Sequence, residues 1–218
     1  MTAVLSARLR AETKDLHTEV ERAGIMPTLL RGHLARPTYC ALLRNLHALY
    51  AALEPALLRH AAHAAVAPVL FPTLFRQGAL ADDLNTLHGP GWLQDFALKP
   101  ATEQYVARLH TLDAQQPELL AAHVYVRYLG DLSGGQMLRK IVAKSFQLDS
   151  PDGTRFYDFG SVDEVDAHLR TFRAGLGVIA ADAGHIDALV TEACNAFRWH
   201  GTLFVELADS GAAAPPSN

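Results

Sequence analysis

Apolar residues recur along this chain at intervals of three and four, the spacing that gathers side chains on one face of an α-helix. In the first segment Leu5, Leu9, Leu16 and Val20 lie on or near one stripe, and Ser6 is a candidate N-cap. The same periodicity predicts further helices over residues 38–59, 73–87, 101–113, 117–147, 161–181 and 184–208.

Glycine and proline mark the ends of these segments. Gly24 with Pro27 closes the first helix, and Pro37 in a first-turn position opens the helix over 38–59. Strict apolar–polar alternation is absent from the sequence, and the Asp-Gly pair at Asp152 and Gly153 lies in a loop between two predicted helices rather than in a hairpin. The pattern therefore predicts an all-α fold, with one domain over residues 1–208 and a flexible tail over 209–218.

Composition narrows the class of protein. The chain has 218 residues, of which 50% are hydrophobic and 19% charged, which suits one compact domain with a core. A net charge of −4 gives no basic excess for nucleic acid. The sequence offers neither a signal peptide nor the run of about 18 apolar residues that a membrane span needs. We expect a cytoplasmic protein, with Cys40 and Cys194 reduced and a monomer as the default state.

The stretch YLGDLSGGQML, residues 128–138, contains LSGGQ, which is the signature peptide of ATP-binding-cassette ATPases. Such an ATPase also needs the phosphate-binding pattern GxxxxGK[ST] after a strand. The single Lys-Ser pair, Lys144 and Ser145, follows Ala143 within a helical pattern. The dinucleotide pattern GxGxxG is absent as well, so the sequence argues against a nucleotide site.

The glycines of this stretch need another explanation, because glycine inside a helix costs about 1 kcal/mol relative to alanine. Gly130 and Gly134 are four residues apart and share one helix face. One interpretation is close helix–helix packing or a kink. The other is that the backbone approaches a flat ligand where a side chain would collide. Asp131, at the side of that face, could then anchor ordered water beside the ligand.

Haem is a flat ligand of this kind, and its iron needs an axial ligand. Among 11 histidines, His17 has companions spaced for such a site. Glu21 lies one turn further on and could orient the ring through a hydrogen bond. Arg10 lies two turns back, roughly 10 Å along the axis, a distance that suits a haem propionate.

Two stretches resemble a known family. PELLAAHVYVRYLGDLSGGQMLRKI closely resembles the distal-helix signature of haem oxygenases, and LRAETKDLHTEVE resembles their proximal helix, whose histidine binds the iron. Further stretches follow in the family's order, among them FPTLFRQGALADDL, PATEQYVARLH and EACNAFRWHGTLFVEL. The resemblance covers residues 5–207. It implies a single-domain helical bundle with haem sandwiched between a proximal helix and a kinked distal helix.

The resemblance also implies residue roles. His17 would be the iron ligand and Glu21 its partner, Asp131 would hold a distal water network, and Gly130 and Gly134 would let the distal helix bend against the haem. The other implied haem-site residues are Arg10, Tyr125 and Arg173 at the haem edge or propionates, Arg127 in the polar network behind the distal helix, Ser133 on that helix, and Phe197 in the pocket wall.

One position departs from the family pattern. Where members often carry a second propionate-binding lysine, this chain has Leu169, flanked by His168 and Arg170. The in-plane orientation of haem, and hence the ring carbon that is attacked, does not follow from the resemblance for this reason. Animal members carry a C-terminal membrane anchor, whereas the polar end of this chain resembles the soluble bacterial type.

The implied activity is oxidation of haem to biliverdin with release of CO and ferrous iron, using O₂ and an external electron donor. Water held by Asp131 would supply the proton that directs oxygen to the ring. The sequence contains no flavin or nicotinamide motif, so a ferredoxin or flavoprotein reductase is the expected electron donor. A basic rim could receive it, formed by Arg10, Lys14, Arg127, Lys140, Arg170 and Arg173.

Three alternatives belong to other classes of protein. A haem carrier or sensor would need no polar distal network. A thiaminase-like helical enzyme would need a nucleophile, and Cys40 and Cys194 have no evident histidine and carboxylate beside them. A structural helical module would leave the glycines and the His17 helix unexplained.

Overall fold

The computed structural model describes residues 3–179 and 183–211, and this part of the chain contains helices and no β-strand. The all-α prediction is confirmed. The α-helices are α1 (Ala3–Glu21), α2 (Met26–Leu30), α3 (Arg36–Arg59), α4 (Gln77–Leu87), α5 (Trp92–Asp95), α6 (Pro100–Gln115), α7 (Leu120–Val124), α8 (Gly130–Phe146), α9 (Val162–Val178) and α10 (Ala183–Gly211). Single 3₁₀ turns occupy Ala67–Val69, Pro72–Leu74, Pro117–Leu119 and Arg155–Tyr157, and a π-helical turn spans Tyr125–Leu129.

Most helix boundaries agree with the sequence pattern within three residues, and the exceptions lie near Ser6, Pro27 and Gln77. Helix α1 already includes Ala3, so Ser6 lies inside it and the prediction of Ser6 as N-cap is wrong. Pro27 occupies the first turn of the short helix α2, where a missing N–H costs nothing, and so opens a helix that the sequence did not predict. The predicted helix over 73–87 begins at Gln77, after the turn Pro72–Leu74.

Two glycines permit close approach between segments. Gly24, at a φ of +47°, lies so near α10 that a β-carbon would come within 1.9 Å of the Phe204 carbonyl oxygen. At Gly175 of α9 a β-carbon would lie 1.9 Å from the carbonyl oxygen of Pro68. Helix α9 is therefore held against the turn Ala67–Val69, while α10 packs along α1 and also contacts α6 and α7.

The predicted helix over 117–147 is a composite of a 3₁₀ turn, α7, the π-helical turn and α8. The π turn ends at Leu129, directly before Gly130. An extra residue in a helical turn changes the direction of the side chains that follow, and such turns are frequent at functional sites. The structure thus has an irregularity where the sequence predicts a kinked distal helix.

The predicted end of the domain can be compared with the structure only as far as Gly211. Helix α10 continues to Gly211, three residues beyond the predicted domain end at 208, and the rest of the predicted tail lies outside the described residues. The division at 208 stays a prediction. Within residues 3–179 and 183–211 no helix is both long and apolar enough to cross a bilayer.

Candidate functional site

A cavity of about 550 Å³ opens between α1, α8 and α10, within the range of small-molecule sites. We call it the main cavity. Its lining includes eight of the side chains or glycines singled out from the sequence: His17, Glu21, Arg127, Gly130, Asp131, Ser133, Gly134 and Phe197. Apolar residues of α2 and α3, among them Leu29, Leu42 and Leu46, complete the walls.

Helix α1 supplies an accessible histidine to this cavity. The His17 side chain is 54% exposed, and its Nδ1 lies 3.6 Å from Oε1 of Glu21, one turn further along α1. The ring meets the edge of Phe197 with ring centroids 5.9 Å apart. This separation is too long for a hydrogen bond, so Glu21 lies beside the ring without fixing its orientation. Nδ1 is the ring nitrogen nearer Glu21, and Nε2 is the second nitrogen that could bind a ligand or metal.

Helix α8 presents bare backbone to the cavity. A β-carbon at Gly130 or Gly134 would meet no heavy atom within 4 Å in the described part of the chain, outside the neighbouring helix backbone. Close helix–helix packing therefore does not explain these two glycines. Two interpretations remain: a kink, since the π-helical turn ends directly before Gly130, and clearance for a ligand. Gly135 differs, because a β-carbon there would touch Tyr157 at 3.5 Å.

A buried polar cluster lies beside these glycines. Arg127 Nη2 donates to both carboxylate oxygens of Asp131, at 3.0 and 3.2 Å, and the Tyr50 hydroxyl donates to Oδ2. Arg127 Nε donates to the Tyr50 oxygen at 3.3 Å. Burial raises the pKa of Asp131, against the opposing effects of Arg127 and Tyr50. A carboxyl with a raised pKa is closer to the pH range in which it can exchange a proton.

Two members of this cluster were not predicted from the sequence. Tyr50 belongs to the apolar stripe of α3 and is buried, so periodicity alone marks it as core. His200 of α10 also lines the main cavity and is 2% exposed. The distinguishing signal is a polar atom on an otherwise apolar helix face, which indicates a hydrogen bond without naming its partner.

The three remaining predicted residues, Arg10, Tyr125 and Arg173, line two recesses along α1 on the N-terminal side of His17. Arg10 and Arg173 line one recess together with Lys14, between α1 and α9, which we call the cationic recess. A smaller recess is lined by Arg10, Lys14, His17 and Tyr125, and it shares His17 with the main cavity. The Tyr125 hydroxyl is within 3.2 Å of the Thr13 hydroxyl, which fixes it to α1.

Other parts of the sequence prediction need correction or qualification. Arg127 is buried in an ion pair with Asp131, so it cannot belong to a surface rim for an electron donor. Leu169 is partly buried and packs against the hydrophobic core, while the adjacent Arg170 is exposed. The cationic recess thus receives its positive charge from α1 and from Arg173.

A family model described as "Heme oxygenase" matches residues 3–206. This chain belongs to the haem oxygenase family. The heme oxygenase of Pyropia yezoensis is 38% identical, in an alignment that covers 96% of this chain and 88% of the relative. Heme oxygenase 1 of Nostoc sp. is 37% identical over 95% of this chain and 87% of the relative.

Solved structures of haem oxygenases share the fold. Heme oxygenase-2 of Synechocystis sp. PCC 6803, in complex with heme and NO, has a TM-score of 0.91 at 36% identity and covers 96% of this chain and 88% of its own. Heme oxygenase-1 of the same organism, in complex with heme, has a TM-score of 0.89 at 35% identity, with 94% and 93% covered. The predicted family, fold and enzyme class are confirmed: this is a haem oxygenase, an enzyme that degrades haem to biliverdin.

Proposed function

We propose that haem binds in the main cavity as substrate, with its iron on Nε2 of His17 and its opposite face against Gly130 and Gly134. The observation that carries this proposal is that an exposed histidine and two uncovered glycines line the same cavity. The flat ring needs backbone on one side and a ligand on the other. His200 is the other histidine in that lining, but it is buried and one of its nitrogens contacts Arg127, which makes it the poorer ligand.

The cationic recess supports a placement for the propionates. Arg10, Lys14 and Arg173 are exposed cations that line it together, and carboxylates prefer such groups as hydrogen-bond donors. Tyr125 lies between this end of α1 and His17, where its hydroxyl can reach an edge of the ring. With the acidic edge fixed there, the opposite apolar edge would point toward the inner wall of the main cavity.

Asp131 is the proposed source of positioned protons. Opening the ring uses O₂, electrons and protons, and it releases one ring carbon as CO together with ferrous iron. Arg127 and Tyr50 hold the Asp131 carboxyl at the cavity wall, and burial raises its pKa. Asp131 would hold ordered water over the distal face and pass protons through it toward reduced dioxygen.

Electrons must reach the site from a separate protein. A ferredoxin or a flavoprotein reductase is the proposed donor. Arg10, Lys14, Lys140, Arg170 and Arg173 are exposed, and their charge would favour an acidic partner that docks near the haem edge. The rate of reduction should then fall steeply with ionic strength.

The deciding experiment is haem titration followed by turnover in air. The wild-type protein should give a Soret band and then, with ascorbate or a reductase system and catalase, a biliverdin band. His17→Ala should lose turnover and regain part of it with added imidazole, whereas His110→Ala, an exposed histidine of α6, should behave as wild type. Full turnover of His17→Ala without imidazole would remove His17 as the ligand. A stable haem complex of the wild type without bilin would instead favour a carrier or sensor.

A further inference from the structure

The buried end of the main cavity is closed by a short turn. The 3₁₀ turn Arg155–Tyr157 contributes Phe156 and Tyr157 to the cavity lining, where they are 1% and 3% exposed. Met137 of the same lining is 56% exposed and lies at the open side. We call the segment Arg155–Tyr157 the wall turn. A single 3₁₀ turn has little stability of its own, so the position of these two rings depends on the groups that hold the turn.

One buried carboxylate of α4 holds the wall turn by its backbone. Asp83 is 0% exposed, and its two oxygens accept from the N–H groups of Arg155 and Phe156, each at 2.8 Å. The first N–H groups of a helical turn have no partner inside the turn, and Asp83 satisfies two of them with charge-assisted hydrogen bonds. The neighbouring Asp82 contacts the turn differently, because it pairs with the exposed guanidinium of Arg155 at 3.3 Å.

The wall turn also contacts α8 and the polar cluster beside it. A β-carbon at Gly135 of α8 would lie 3.5 Å from the Tyr157 ring and 3.6 Å from the Tyr157 carbonyl oxygen. The Phe156 ring meets the Tyr50 ring edge-on, with centroids 6.0 Å apart. Tyr50 is the residue whose hydroxyl donates to Asp131. A displacement of the wall turn would therefore change the depth of the cavity and the packing of the elements around it.

We propose that Asp83 is a positioning residue for haem: through the wall turn it keeps Phe156 and Tyr157 against the apolar edge of the ring, and so restricts which ring carbon is attacked. The proposal rests on the haem placement proposed above. The three cations of the cationic recess would hold only the acidic edge, and their long side chains would let the ring pivot in its own plane. A fixed wall at the opposite edge removes that freedom. Asp83 is absent from the lining of the main cavity, so it acts on the ring through the turn.

The first test needs no haem. At about pH 8 the Asp83 carboxyl is ionised, because burial raises its pKa only to about 6. Hydrogen exchange of the ligand-free chain should show the N–H groups of Arg155 and Phe156 as protected. Asp83→Asn should speed their exchange by about tenfold, since an amide side chain can accept only one of the two bonds. Unchanged exchange in this variant would overturn the proposal.

Asp82→Asn is the matched control for this experiment. It removes the same charge from the adjacent position of α4, but Asp82 contacts only the Arg155 side chain. The exchange rates of the Arg155 and Phe156 N–H groups should therefore stay at wild-type values. Equal acceleration in Asp82→Asn and Asp83→Asn would show a general effect of charge on this surface, and would also overturn the proposal.

The second test determines where haem is cleaved. Wild type and both variants are turned over with ascorbate and catalase, and the biliverdin isomers are separated by chromatography. Asp83→Asn should raise the ratio of minor to main isomer by about fivefold, and should weaken haem binding by a similar factor. Asp82→Asn should match wild type in both quantities. A merely structural role of Asp83 would lower the amount of folded enzyme without changing the isomer ratio.

A double-mutant cycle tests whether Asp83 acts through the wall turn. Tyr157→Leu removes part of the wall directly, and should change the isomer ratio in the same direction as Asp83→Asn. The double variant should resemble the more affected single variant, because both substitutions act on one wall. Additive effects would show that Asp83 acts by another route and would overturn the proposal, as would a wild-type isomer ratio in Asp83→Asn.

Two results separate this role of Asp83 from the function proposed for the cavity. A wild-type protein that binds haem without making biliverdin would defeat the proposed function; an unchanged haem affinity of Asp83→Asn would then overturn the positioning role as well. Normal biliverdin formation with one isomer ratio in every variant would defeat the positioning role alone. Should Asp83→Asn fail to fold, Asp83→Glu keeps both acceptor oxygens and displaces the wall turn by one methylene group, and a wild-type isomer ratio there would refute the role.

Discussion

Replacement of Gly134 by alanine should stabilise the ligand-free protein and at the same time weaken haem binding. In the ligand-free structure a β-carbon at this position meets no neighbouring element of the described chain. Gly134 lies inside α8, where alanine is favoured over glycine by about 1 kcal/mol. The ligand-free variant should therefore be more stable than wild type by about that amount, which corresponds to a rise of roughly 2–4 °C in Tm for a chain of this size.

The same methyl group should impair haem chemistry, because it would occupy the space that the proposed site reserves for the ring. Haem-dependent stabilisation, measured as the difference in Tm between loaded and ligand-free protein, should shrink as the affinity falls. Gly78→Ala is the matched control. Gly78 lies in the first turn of α4, and its β-carbon would also meet nothing within 4 Å in the described residues, but it is remote from the main cavity.

Differential scanning calorimetry of both variants, with and without haem, and a haem titration would measure these quantities. Gly78→Ala should leave haem affinity and turnover at wild-type values. If Gly134→Ala bound and cleaved haem as wild type does, the uncovered glycine would have no role in clearing space for the ring. A destabilised ligand-free variant would show that the glycine is needed for the helix itself.

Three further predictions concern the scaffold. Gly175→Ala should destabilise the fold by about 1–3 kcal/mol or more in urea unfolding, since its β-carbon would collide with the carbonyl of Pro68. Burial raises the pKa of Asp83 from 3.8 to about 6. The free energy of unfolding of wild type, from urea unfolding at a series of pH values, should therefore fall by about 3 kcal/mol as pH rises from 3.8 to 6, and Asp83→Asn should remove this dependence. Burial alone would raise the pKa of Glu192, but hydrogen bonds from His123 and Arg108 hold it at about 2. The free energy of unfolding of wild type should therefore fall by about 3 kcal/mol as pH falls from 4.5 to 2, and Glu192→Gln should lack this pH dependence.

Helix periodicity predicted most of the secondary structure because it depends only on the spacing of residues along the chain. Apolar stripes located α3, α6, α9 and α10 within a few residues of their observed ends. Boundaries that depend on a tertiary contact were harder. The turn before Gln77 is held by Glu54, which accepts from the N–H groups of Arg76 and Gln77. No local pattern contains that distant partner.

The candidate site also contains residues that the sequence could predict and residues that it could not. Residues joined by short motifs could be read from the chain: His17 with Glu21 is one turn, and Gly130, Asp131 and Gly134 form one segment. The partners that set their chemistry come from elsewhere. Tyr50 on α3 and His200 on α10 look like core residues in the sequence, because a buried side chain shows its polar partner only after the helices have packed.

The sequence by itself determined the family, the all-α class and the order of most helices, since these follow from periodicity and from a long motif. Only the tertiary structure decided that Arg127 is buried against Asp131 rather than exposed on a rim, and that Gly130 and Gly134 border open space rather than another helix. The physical reason is common to both: burial, pKa and free volume are properties of side chains that lie far apart in the chain and meet only in the folded core.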